Sequence, residues 1–556
     1  MATSFSDSRF ATVARTVWNN SDQTSSLTRE HYHRSVFGVL LGLFIAIYFV
    51  QVARQRSKGK LPPGPMGLPL LGNLLQLSLD AWLPFTEWKY KYGPLVYITA
   101  GGQGILVLSS HKVAADLLDR KAHIYNGRPR FIVASEYLTG GMFLGLLQHN
   151  DVWKRMRRAG NEVLNKAMAP AFYPAQEQEA VRLTSNMLQS SRPERWDKEL
   201  QRAASSLVLS VIYDLPILRS ANDPAIERIN RFVSRLTQAM YPGTYLVEFF
   251  TWMKYLPSAV AQWKRDAITW YRSDTELFVK LYKDVEDRMN QSGARPSFTS
   301  TIIRDQKRYN LSPIEGAWLS ANMYAGGAET SATVVDWFML AMIAYPEIQA
   351  KCHQELDAVI GRSRMPGFAD QESLPYIRAT VREVLRWRTV VPIGAPHQSM
   401  EDDWYEGYFI PKGTIVIANI WAMNRDKEVY GPDADTFNPG RYIGPDGNLA
   451  PSPPDTKRTH TVTTEGNVSF GYGGRICPGR HVANASLFIN IACLLWAANI
   501  SPEKDAQGQP IMPDLSDASS VNDGIVVRPL PFKCSVTARF PEATEVLDYT
   551  KEMLGM

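Results

Sequence analysis

Apolar residues recur three and four apart along most of this chain, a period that predicts helices. The pattern covers 111–121, 150–168, 195–213, 226–240, 265–290, 313–345, 346–360, 374–388 and 480–497. Strand-like patches are few: Leu95–Thr99, Ile105–Leu108, Thr414–Asn419 and Val526–Thr537. The expectation is a body that is mainly α with a minor β-sheet region. One helix is marked at both ends: Ser312-Pro313-Ile314-Glu315 reads as a capping box with proline in the first turn, and Pro346 closes the run. Its roughly 33 residues would extend about 50 Å, nearly three times the mean helix length. At its centre Gly326 and Gly327 stand side by side, each costing about 1 kcal/mol against alanine. Either a close helix crossing needs small residues there, or a flat ligand lies against the backbone.

A different pattern opens the chain. Val36–Val52 is apolar except for Gln51, and as a helix it would span roughly 26 Å, the short end of what crosses a bilayer. Arg54, Arg56, Lys58 and Lys60 follow with no acid among them. That asymmetry predicts a transmembrane helix over 36–52, a lumenal tail over 1–35, and the remainder in the cytosol. A cleaved signal peptide is the competing reading; the long preceding stretch and the lack of a small-x-small site count against it. Asn19-Asn20-Ser21 would then be a glycosylation sequon on the translocated side. Residues 53–66, basic and then rich in proline, read as a hinge, and 67–556 as the catalytic body. The Pro/Thr-rich stretch 444–468 reads as a long surface loop.

Composition adds exclusions. With 45% apolar residues among 556, the chain has ample material for a core, so global disorder is excluded. A net charge of +5, from 60 basic against 55 acidic residues, does not suggest a nucleic-acid binder. Four cysteines (Cys352, Cys477, Cys493 and Cys534) make no disulfide framework at this length.

The chemistry concentrates in Phe470-Gly-Tyr-Gly-Gly-Arg-Ile-Cys-Pro-Gly479, a glycine-rich loop directly before an apolar helix. Backbone amides in such a loop can turn toward one sulfur, and a helix N-terminus stabilises a thiolate. Arg475, two residues earlier, can pair with an anionic group of whatever the sulfur binds. A cysteine framed in this way asks for a metal.

Phe470, Gly473, Arg475, Cys477 and Gly479 resemble the haem-binding loop of cytochrome P450 enzymes, F-x-x-G-x-R-x-C-x-G, at every fixed position. Glu383-Val-Leu-Arg386 is similar to the family's E-x-x-R, and Arg441 in Phe437-Asn-Pro-Gly-Arg441 to its partner; the resemblance implies a buried Glu–Arg–Arg network beneath the haem. Gly326-Gly-Ala-Glu-Thr-Ser331 resembles the family's central helix motif, which implies that Thr330 interrupts the helical hydrogen-bond ladder and, with Glu329, delivers protons. Trp153 and Arg157 resemble a propionate-binding W-x-x-x-R, and His397 falls where many members bind a propionate; Arg128, in Asn-Gly-Arg-Pro, is a further candidate. Lys154, Arg155 and Arg158 would face an acidic electron donor or simply solvent.

The resemblance covers residues 61–540 and looks most like the microsomal class, in particular fungal members of secondary metabolism. It implies the cytochrome P450 fold, a haem with Cys477 as axial ligand, and monooxygenation of a hydrophobic small molecule such as a terpenoid, polyketide or alkaloid. Residues 131–147, 322–326, 390–395 and 523–527 map to the family's pocket segments and hold Phe131, Met142, Phe143, Ile393 and Ile525 with few charges. Gly101-Gly-Gln-Gly104 lacks the third glycine and the helix of a dinucleotide fingerprint, so a separate NADPH-cytochrome P450 reductase is implied as partner. The implied location is the endoplasmic reticulum membrane, single-pass, with the catalytic domain facing the cytosol. A haem-thiolate isomerase or dehydratase, and a non-catalytic haem protein, are the other classes; neither requires the Glu329–Thr330 pair.

Overall fold

The computed structural model of the protein describes residues 58–189, 196–218, 224–241, 243–291, 295–450, 466–517, 520–522 and 525–556. The apolar run 36–52, the Asn19 sequon, most of the basic segment and most of 444–468 lie outside them. Among the described residues no helix is long and apolar enough to cross a membrane.

The described chain divides into two compact units. In the smaller, residues 58–62 group with Asp403–Pro411, which holds the hairpin of β4 (Asp403–Tyr405) and β5 (Tyr408–Ile410). There the Phe409 amide donates to the Lys60 carbonyl at 2.8 Å. The larger unit, Pro63–Asp402 with Lys412–Met556, is helical. It contains α1 (Trp82–Tyr92), α2 (Asp151–Val163), α3 (Tyr173–Gln189), α4 (Trp196–Tyr213), α5 (Pro224–Met240), α6 (Gln262–Asn290), α7 (Phe298–Arg304), α8 (Pro313–Ala344), α9 (Pro346–Val359), α10 (Pro375–Trp387), α11 (Arg480–Ala497) and α12 (Ala543–Met553). Its largest sheet runs β1 (Leu95–Ala100), β2 (Gln103–Leu108), β6 (Ile415–Ala418), β3 (His397–Gln398). Strand β2 is parallel to β6, with Ile105 opposite Ile415, and β3 is antiparallel to β6, with His397 opposite Val416.

Helix α8 organises this unit. It is capped as its sequence predicts, the Ser312 hydroxyl accepting from the Glu315 amide at 3.2 Å and the Glu315 carboxylate from the Ser312 amide at 2.8 Å. Apolar clusters pack on it at both ends. Trp318 near its start meets Phe232 of α5 and Phe278 of α6, with ring centroids 5.8 and 5.0 Å away. Trp337 and Phe338 share the second cluster with Phe488 and Ile491 of α11. A buried helix whose interior faces are this apolar derives its stability from tertiary packing rather than from propensity.

Several elements depart from the sequence expectation for identifiable reasons. The helix expected over 150–168 ends at Val163, because the Asn165 carboxamide accepts from the amides of Ala167 and Met168 and turns the chain. The strand expected over Val526–Thr537 splits into β9 (Val527–Pro529) and β10 (Cys534–Ala538), separated at Pro529 and Pro531, which cannot donate to a ladder. Strand β9 pairs with β8 (Ser520–Asn522) and β10 with β7 (Ala498–Pro502). The pattern did not reveal α3, because its buried face carries Gln176, Glu179, Thr184 and Ser185 among the apolar residues.

Candidate functional site

The cysteine loop is a tight return. The Cys477 amide donates to the Phe470 carbonyl at 2.9 Å, closing the loop across the short turn Gly473–Arg475. Gly473 has φ +56°, and a Cβ there would lie 2.1 Å from the Leu118 carbonyl oxygen. Its amide donates to the Asp119 carboxylate at 2.5 Å. Glycine is required at this position both for the dihedral and for the close approach. Gly479 caps α11, its carbonyl accepting from Ala483 at 2.9 Å, so Cys477 stands three residues before an 18-residue helix. Cys352, Cys493 and Cys534 are buried, and Cys477 alone of the four is half-exposed. Burial pushes the thiols of Cys352 and Cys534 up to about 12 and that of Cys493 higher still, which makes them inert.

Cations surround this loop. Arg475 donates to the carbonyls of Asn126 at 2.7 and 3.0 Å and of Leu147 at 2.9 Å, and its guanidinium lies 4.1 Å from the Trp153 ring. Arg157, one turn after Trp153 on α2, donates to the Ile476 carbonyl. Arg128 donates to the carbonyls of Ala395 and Pro396, both at 2.6 Å. All three are over nine-tenths buried, and the Nε atoms of Arg128 and Arg157 have no hydrogen-bond partner. Burial, then Arg128 and Arg157, pushes Arg475 down to about 8. Burial pushes Arg128 and Arg157 down to about 10, and Cys477 is the group that pulls Arg157 back up. Among the described residues no carboxylate is hydrogen-bonded to any of the three, so the cluster carries positive charge that no acid offsets there.

His397, delivered by β3, completes the group. Its Nδ1 lies 2.9 Å from the Tyr125 carbonyl, and burial, then Arg128, holds it well below the usual histidine range. A carbonyl only accepts, so Nδ1 carries the proton, and Nε2 is a lone pair until an anion recruits a second proton.

The second motif forms a closed network. Glu383 and Arg386 on α10 are fully buried and bidentate at 2.7 Å. Arg386 also donates to the carbonyls of Asn424, Ala434 and Thr436 at 2.6–2.9 Å, using every donor it has. Arg441 reaches Glu383 at 3.1 Å, and the Asn438 amide donates to the same oxygen at 2.8 Å.

At the centre of α8 the helix is unbroken from Pro313 to Ala344. The expected interruption at Thr330 is therefore corrected: its hydroxyl donates to the Gly326 carbonyl at 2.8 Å, adding a side-chain bond within a continuous helix. Glu329 is exposed and Thr330 half-buried. The two glycines serve different neighbours. A Cβ on Gly327 would approach Val208 of α4 at 3.2 Å, a helix crossing, whereas one on Gly326 would meet no atom within 4 Å.

Phe470, Gly473, Arg475, Cys477, Gly479, Trp153, Arg157 and His397 are thus brought together by the fold, and Glu383, Arg386 and Arg441 by a second cluster. Arg128 is more central than its sequence context suggests, because only the fold sets it beside Arg157 and Arg475. The backbone of Asn126 and the carboxylate of Asp119 carry no sequence signal, since each acts through a local position in a turn. Lys154, Arg155 and Arg158 are less available than expected: they pair with Asp151, Glu315 and Glu162 at 3.3, 2.7 and 3.0 Å. A cleft of about 230 Å³ opens beside the loop, lined among others by Arg157, Asn161, Pro478, Arg480 and His481.

The family model described as Cytochrome P450 matches residues 62–535. A cytochrome P450 monooxygenase of Armillaria gallica is 50% identical over 517 residues, covering 93% of this chain and 97% of that protein. Cytochrome P450 monooxygenase 58 of Postia placenta is 47% identical, covering 92% and 95%. Cytochrome P450 monooxygenase iboC of Amanita muscaria is 40% identical, covering 95% and 100%.

Proposed function

We propose a specific function from one premise: this chain belongs to the cytochrome P450 family and is a monooxygenase of it. It inserts one oxygen atom of dioxygen into a hydrophobic small molecule while the other leaves as water, with electrons from a separate NADPH-dependent reductase. The observation that carries this reading is the buried cluster Arg128–Arg157–Arg475 beside the Cys477 loop. Among the described residues it holds two guanidinium Nε atoms without partners and no hydrogen-bonded acid. A guanidinium does not shed its proton in a protein, so such a cluster is relieved by an anionic ligand. The two propionates of a haem would fit that need, and the half-exposed Cys477 would supply the sulfur that holds its iron. Bound there, haem supplies the dioxygen chemistry, which a thiolate ligand favours.

The chain's own residues then divide the labour. Arg128, Arg157 and Arg475 would hold the propionates, and His397 would join them once Nε2 is protonated. Trp153 backs Arg475 through its ring face. Thr330 donates to Gly326, which leaves its oxygen free to accept from a water, and the exposed Glu329 exchanges protons with solvent. Phe131, Met142, Phe143 and Ile393 are apolar and incompletely buried, which suits a hydrophobic substrate of the terpenoid, polyketide or alkaloid kind. Arg480 and Lys166, both acting on His481, leave positive charge at the cleft beside the loop, where an acidic reductase surface would dock. The apolar run 36–52 with its basic flank supports a single-pass anchor in the endoplasmic reticulum membrane with the body in the cytosol.

The test is the carbon monoxide difference spectrum of the dithionite-reduced protein in membranes, beside Cys477→Ser. A strongly red-shifted Soret band that the variant loses is expected. A band at the position of histidine-ligated haem, or a folded protein without haem signal, overturns the proposal.

A further inference from the structure

The loop 139–147 is tied down by two side chains. Arg475 of the cysteine loop donates to the Leu147 carbonyl at 2.9 Å. From α8, Asn322 accepts from the Leu144 amide at 3.0 Å and donates to the Met142 carbonyl at 2.9 Å. Its amide nitrogen also donates to the Trp318 carbonyl at 2.6 Å, one turn earlier in its own helix. The side chain is 5% exposed, so these bonds are made away from water. Asn322, Gly326 and Thr330 recur at four-residue intervals and occupy one stripe of α8. Asn322 therefore fastens the loop to the stripe that is open at Gly326.

Between the two tied backbone groups stands Phe143. Its ring lies over Gly145, where a Cβ would be 3.1 Å away, and 6.3 Å from the ring of Phe232. Phe143 and Met142 are both half-buried, so part of each side chain is free to meet a ligand. We propose that Asn322 is a positioning residue: it sets the place of Met142 and Phe143 beside the open stripe of α8, and so the orientation of the substrate's apolar body. The chemistry of the side chain fits this role closely. One bond needs an acceptor and the other a donor, and a carboxamide supplies both from adjacent atoms. Aspartate keeps only the acceptor and leucine keeps neither. This inference rests on the haem-site reading above, and its test separates the two.

The experiment compares parent, Asn322→Ala, Asn322→Asp and Phe143→Leu as full-length haem-loaded protein by optical titration with imidazole and with 4-phenylimidazole. Imidazole needs little space beyond the iron, whereas the phenyl ring reaches into the pocket. Asn322→Ala is expected to weaken 4-phenylimidazole about fivefold, or about 1 kcal/mol at 1.4 kcal/mol per factor of ten, the scale of one net buried hydrogen bond. Imidazole should move by less than about twofold. Adding Asn322→Ala to Phe143→Leu should cost little more, because both act at the same ring. Should the alanine variant fail to fold, Asn322→Asp serves with the same expectation. The proposal is overturned if 4-phenylimidazole binding is unchanged or tighter, if imidazole weakens by the same factor, or if the two substitutions add in full. The carbon monoxide band of each variant reports separately on haem ligation, so its loss in the parent would indict the haem reading instead.

Discussion

Two of the arginine clusters buried among the described residues of the larger unit differ in where the opposing charge comes from. Around Glu383 the charge is internal: Arg386 and Arg441 share its carboxylate, and Arg386 spends its remaining donors on three carbonyls. Around Arg475 there are only carbonyls and a tryptophan face, and burial pushes each guanidinium down from its ordinary value. One network is thus closed and the other, built around the cysteine loop, is open. The closed one has no need of a ligand, while the open one is incomplete without one. Desolvated charge without a partner is what a folded protein normally avoids, so the open cluster reports its missing partner's sign.

The contrast predicts opposite responses to removing one member. Glu383→Ala leaves the fully buried Arg386 without a carboxylate, while Arg441 keeps Asp433 at 3.1 Å, and should cost about 3–5 kcal/mol with or without haem. Denaturant unfolding of both forms checks this, and a loss confined to the haem-loaded form would show that the network is not structural. Arg157→Leu should behave differently. It gives up one bond to the Ile476 carbonyl but relieves a crowded cation cluster. The haem-free form should therefore keep its stability or gain, while the haem-loaded form loses about 1–3 kcal/mol, the scale of an unsatisfied charged partner. Equal destabilisation of both forms would collapse the distinction between the clusters.

Sequence made the closed cluster easier to find than the open one. The cysteine loop is contiguous and specific by itself, whereas Glu383 and Arg386, which share a helix face at i and i+3, gain weight only through the family resemblance that the loop carries. The open cluster is drawn from α2, the turn before residue 131, β3 and the loop before α11, which no spacing connects. Arg128 illustrates the limit, because its role follows from the carbonyls of Ala395 and Pro396 more than 260 residues away in sequence. The long helix α8 was legible from its capping box and closing proline. Helix α3 was not, because buried Glu179 bonds Arg202 and Ser206 where an apolar residue would have kept the period. Polar groups satisfied only by distant partners are invisible to hydrophobic pattern for that reason.

A third buried charge sharpens the rule away from the site. Asp336 on α8 is 8% exposed, and its Oδ1 has no hydrogen-bond partner. Burial, then Asp197, raises its carboxyl to about 7, against a smaller opposing pull from Arg528. The folded value lies above the unfolded one, so between about pH 4 and 7 the folded state holds the extra proton. Stability from this group is accordingly greatest at the acidic end and is lost as pH rises toward 7, with the full penalty present above it. Asp336→Asn removes the titration, and at pH 8 it should stabilise the protein by about 1–3 kcal/mol, because a neutral amide escapes the desolvation that the buried carboxylate suffers. Toward pH 5 the gain should shrink, because the parent carboxyl is then neutral in the folded state. Denaturant midpoints of parent and variant at pH 5 and pH 8 check this directly. A gap that does not change with pH would mean that Asp336 is compensated in the folded state after all, and that an orphaned oxygen among buried groups does not by itself mark an open charge.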